Sequence, residues 1–107
     1  MAVTFTEEKC DCRVYLYRPE RGEGPQSVKP LHGLVHFVDA LLDTHSFWFG
    51  VVELPMPDRS LLETFIAYRC DLVLEDKRQA TAAIVKVFAK DDYIGICISG
   101  ISKLVVE

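Results

Sequence analysis

What this sequence lacks is informative. Apart from Lys77-Arg78 its basic residues stand singly, and the net charge is −4. Nucleic-acid binders take most of their affinity from neutralised phosphates, so neither DNA nor RNA is expected as a ligand. No apolar run approaches the roughly 18 to 20 residues that cross a bilayer, so no membrane partner is expected. Residues 1–8 carry no positive patch followed by an apolar stretch, as a secretory leader would. Ala2 stands where a myristoylated chain has glycine, and the last residues hold no prenylatable cysteine. A cytoplasmic location is the expectation.

Chemical motifs are equally scarce. There is no Gly-x-Ser-x-Gly elbow, and Gly22 and Gly24 lie in a charged loop rather than at a strand-to-helix turn. Serine nucleophile chemistry and a phosphate cradle lose their support, and no cofactor is expected. The four cysteines, Cys10, Cys12, Cys70 and Cys97, need not pair, because half the residues are apolar and can build a core. Cys70 and Cys97 read as small core hydrophobes.

The 107 residues are one domain's worth, 1–107, with a charged fraction of 26% that marks a folded chain rather than a disordered one. Such a domain hides only a little more than ~60% of its unfolded surface, so association with a second copy is an accessible source of stability. Residues 10 to 17 read as a strand, and 18 to 30, with three prolines and two glycines, as a loop. In 31–44, Leu31, Leu34, Val35, Val38, Leu41 and Leu42 recur at helical spacing, with Pro30 placed for a first turn. The spacing predicts a long amphipathic helix. Phe47 to Leu54 reads as a strand apolar on both faces. Ser60 and Glu63 form a capping-box pattern ahead of a second helix near 60–70. Between 70 and 90 helix and strand compete. A hairpin from Ile84–Phe88 into Tyr93–Ile98 is preferred, followed by a strand at 102–106. The expected fold class is α+β: an antiparallel sheet of four to five strands packed by one long helix and a shorter one.

On that helix His32 and His36, at i and i+4, would project from one face with Asp39 nearby, a spacing that suits a metal ion or an acid–base pair. The competing reading is the wet side of an amphipathic helix. Cys10-Asp11-Cys12 puts two thiols on one side of a strand, and joining them to His32 and His36 would complete a Cys₂His₂ set. The aromatic group Tyr15, Tyr17, Phe47, Trp48 and Phe49 reads as core, or as a pocket or subunit interface. The leading expectation is a non-enzymatic homo-oligomeric module binding a small apolar molecule or a protein partner. One alternative is a small hydrolase or isomerase using His32 or His36 with Asp39. Another is an acidic inhibitor or immunity-type protein.

Overall fold

Alternation of buried and exposed side chains at period two runs through almost every ordered segment, the signature of strands with one face inward. The structure, a computed structural model, describes residues 3–42, 45–55, 68–90 and 92–106. Seven strands occur: β1 Val3–Tyr17, β2 Leu31–Leu42, β3 His45–Pro55, β4 Arg69–Leu74, β5 Arg78–Lys90, β6 Tyr93–Gly100 and β7 Val105–Val106. All pairings are antiparallel, in the order β4-β1-β2-β3-β6-β5-β7, and β4 also pairs with β5. That last pairing closes β1 to β6 into a six-stranded barrel, with β7 lying along β5.

The expected α+β class is overturned, since no helix of seven or more residues exists among the described residues. The segment expected to be the long helix is β2, paired along its length with β1 and most of it with β3. Residues 56–67, which hold the expected start of the second helix, lie outside the described residues, and Arg69 and Cys70 already belong to β4. The strands read at 10–17 and 47–54 fall inside β1 and β3. The preferred hairpin is β5–β6, closed by the Lys90–Tyr93 pair. A second hairpin, β4–β5, turns through Glu75-Asp76-Lys77 without glycine or proline. Lys77 takes a positive φ of 74° there, and Asp76 Oδ1 accepts the Arg78 N–H.

The barrel interior is filled by side chains, as expected at this strand number. Inward positions are Cys12, Val14 and Leu16 on β1, Val35 and Phe37 on β2, and Trp48, Val52 and Leu54 on β3. Cys70, Leu72 and Leu74 come from β4, Ala80, Ala82 and Ile84 from β5, and Ile94, Ile96 and Ile98 from β6. Among the described residues no charged side chain is buried, and the buried Tyr17 and Trp48 each have a hydrogen-bond partner. Gly50 makes room for this packing: a Cβ there would lie 2.5 Å from the His36 carbonyl oxygen and 2.8 Å from Phe37 Cβ. Phe37 meets Trp48 edge-on at 6.3 Å between ring centroids.

β4 ends at Leu74, so β1 before Cys12 has a strand partner on one edge only. Side chains bridge that gap. Arg78 grips Glu8 through two hydrogen bonds, Nη1 to Oε2 at 3.0 Å and Nη2 to Oε1 at 2.8 Å, with its guanidinium 5.5 Å from the Phe37 ring centroid.

Candidate functional site

A packed interior leaves function to the outer surface, where alternation displays a second set of side chains. Rows across the register show what β1, β2, β3 and β6 present. Phe5, Ala40 and Phe47 form one row. Glu7, Val38, Phe49 and Ser99 form the next, followed by Lys9, His36, Val51 and Cys97. Phe5 is 63% exposed, Phe47 45% and Phe49 44%, while Ala40 between Phe5 and Phe47 is almost fully covered. Phe47 and Phe49 stack at 6.3 Å with an interplanar angle of 16°. A β-bulge in β5 between Ile84 and Lys86 turns Val85 outward, 63% exposed. A groove of about 420 Å³, floored by Val38, Phe49, Val51, Val85 and Cys97, runs beside the stacked rings. Large apolar groups gathered on a solvent face make this patch a candidate interaction site.

The aromatic candidates read from sequence divide between three places. Phe47 and Phe49 belong to the outer patch. Trp48 faces inward, its Nε1 donating to the Ser102 carbonyl oxygen at 2.6 Å. Tyr17 is buried and donates its hydroxyl to Asp71 Oδ1 at 2.7 Å, and burial with that bond raises its pKa. Tyr15 is half-buried on the outer face of β1, ten residues along that strand from Phe5 and beside Asp71 of β4. Sequence reading missed Phe5 and Val85. Thr4-Phe5-Thr6 carries a strand signal that extends β1 toward the N-terminus, whereas nothing local announces the bulge at Val85.

The candidate metal residues sit on a strand, not a helix, and this separates them. His32 and His36 both point outward, but four residues of strand place them roughly 13 Å apart. Asp39 points to the other side of the sheet. His36 Nε2 instead pairs with Glu7 Oε1 on the exposed rim of the patch. Cys10 and Cys12 face inward while His32 and His36 face out, so the barrel wall stands between the halves of a Cys₂His₂ set. Among the described residues no three His, Cys, Asp or Glu side chains gather around a common point.

The inward thiols are also poor nucleophiles. Burial, and then the charges of Cys10 and Asp11, push the Cys12 thiol up to about 12, while burial above all raises Cys70 and Cys10. A raised thiol pKa leaves little thiolate at neutral pH, and thiolate is the reactive form. Iodoacetamide at neutral pH is therefore expected to leave Cys12 and Cys70 unmodified in the folded protein and to alkylate both after denaturation, as read by peptide mass spectrometry. Rapid labelling of either in the native state would contradict the inward placement.

No helix among the described residues is long and apolar enough to cross a membrane. No protein-family model, curated protein or solved structure matches this chain.

Proposed function

We propose that the protein is a non-enzymatic interaction module that works as a homodimer, joined through the outer β1–β2–β3 face around Phe5, Phe47 and Phe49. The observation that carries this reading is the clustering of three exposed phenylalanines on β1 and β3, either side of β2. Together with Val85 they expose roughly 400 Å² of apolar surface, taking about 200 Å² for a whole phenylalanine. A stable interface buries about 800 Å² per partner, somewhat over half of it apolar, so this patch with Val38, Val51 and a polar rim has the required size. Rim charges of both signs, Glu7, Lys9 and Lys86, suit a face that pairs with itself across a two-fold axis. An apolar small molecule inside the barrel is disfavoured, because the interior is already filled. The acid–base reading is disfavoured as well, since His36 and Asp39 do not share a face.

Sedimentation velocity of the purified chain tests the proposal. A dimer at tens of micromolar is expected, and a strict monomer across that range would overturn it.

A further inference from the structure

Where β1 pairs with β4, the outer faces of β1, β4 and β5 form the floor of a cleft of about 640 Å³. The register sets Arg13 beside Val73 and Gln79, and Tyr15 beside Asp71 and Thr81. Two segments make its walls. Pro25 and Gln26 belong to a tight turn in which Ser27 Oγ accepts the Gly24 N–H. Opposite, the chain after β6 is tied to β5: the Ile101 and Ser102 amides donate to the Thr81 carbonyl oxygen, and the Thr81 amide donates to Ser102 Oγ. Trp48 adds its bond to the Ser102 carbonyl. One wall is thus tied to β5 by hydrogen bonds and the other is a turn closed on itself, and the volume lies within the range of pockets that take small ligands.

The charges in the cleft are unbalanced. Arg13 and Lys103 line it, and among the described residues neither has an ion-pair partner. The one acid of the lining, Asp71, accepts the Tyr17 hydroxyl, which holds one carboxylate oxygen on Tyr17 but leaves its charge in place. With two cations against one carboxylate, the lining keeps a positive excess in a chain of net charge −4. Tyr15, Val73 and Val105 supply apolar surface, and the Gln26 and Gln79 amides and the Thr81 hydroxyl supply further polar groups.

We infer that this cleft binds a small organic oxyanion, its carboxylate or phosphate held by Arg13 and Lys103 and its apolar body laid against Tyr15 and Val73. A guanidinium fork meets either oxyanion with two parallel bonds, and an ammonium adds a movable charge. The cleft shares no lining residue with the groove beside the stacked rings, so this inference does not rest on the proposed dimer.

Titration calorimetry with phenyl phosphate and with benzoate, backed by amide chemical-shift mapping, tests it. At least one probe is expected to bind with perturbations at Arg13, Tyr15 and Lys103. The tighter of the two identifies the phosphate or the carboxylate class. Arg13→Ala and Lys103→Ala are each expected to weaken binding about tenfold or more, and Arg13→Lys less. Both side chains are exposed, so these variants keep the fold, which an unchanged thermal melt verifies. Absence of binding at millimolar probe, or an affinity unaltered in the double alanine variant, would overturn the inference.

Discussion

Phe49→Asp is expected to turn the proposed dimer into a monomer, weakening self-association by ~100-fold or more, a loss of about 2.7 kcal/mol. Phe49 stacks on Phe47 and borders the apolar groove, so it sits where an interface would exclude water. A two-fold axis doubles the effect, because each dimer would gain two carboxylates in a desolvated contact. The side chain points away from the core, so the thermal melt of the dilute protein is expected to change little. Sedimentation of the variant beside the parent reads the result. A variant that still sediments as a dimer would move the interface elsewhere, and a variant that unfolds would show that Phe49 is core.

Phe37→Ala is expected to cost about 3 to 5 kcal/mol of folding stability, whereas His36→Ala one position earlier should cost under ~1 kcal/mol. Phe37 is almost fully buried against Trp48, and its removal leaves a cavity that a closed barrel cannot collapse to fill. His36 stands on the rim with only the exposed Glu7 contact. Urea unfolding of the two variants separates strand from helix directly. On a helix with its stripe at Leu34, Val35, Val38 and Leu41, Phe37 would lie off the buried side and its truncation would be mild. Similar costs for the two substitutions would contradict the register of β2.

That register also explains what the sequence concealed. A strand with one wet face shows period-two alternation, but β2 is apolar on both faces: Val35 and Phe37 inward, Leu34, Val38 and Ala40 outward. Alternation then disappears, and the chance spacing of Leu31, Leu34, Val35, Val38, Leu41 and Leu42 imitates 3.6. The doubled apolar character that misled the reading is the same property that builds the outer patch. Propensity pointed the other way, since Gly33, Val35, Phe37 and Val38 are all weak helix formers. β3 was legible because aromatic and β-branched residues, Phe47, Trp48, Phe49, Val51 and Val52, dominate its middle. The β4–β5 hairpin was obscured by a turn built from Asp76 and Lys77 instead of glycine.

For the site, Phe47 and Phe49 were readable as interface candidates from composition alone. Their neighbours were not. Phe5 reaches them only through the pairing of β1 with β2, and Val85 only through a bulge, both long-range consequences of barrel closure. His32, His36 and Asp39 looked convergent solely because helical geometry was assumed for 31–44. With two residues per repeat instead of 3.6, the same spacing puts Asp39 across the sheet from both histidines. The cleft at Arg13 and Lys103 has no sequence signature, since its floor comes from three strands and its walls from two further segments.

The proposed self-association face is probed most directly by isotope-filtered nuclear Overhauser spectra on a mixture of labelled and unlabelled chains. Contacts between copies should involve the rings of Phe5, Phe47 and Phe49 and the methyls of Val38 and Val85. Intermolecular contacts confined to the Tyr15 and Lys103 side, with these rings silent, would contradict the assignment.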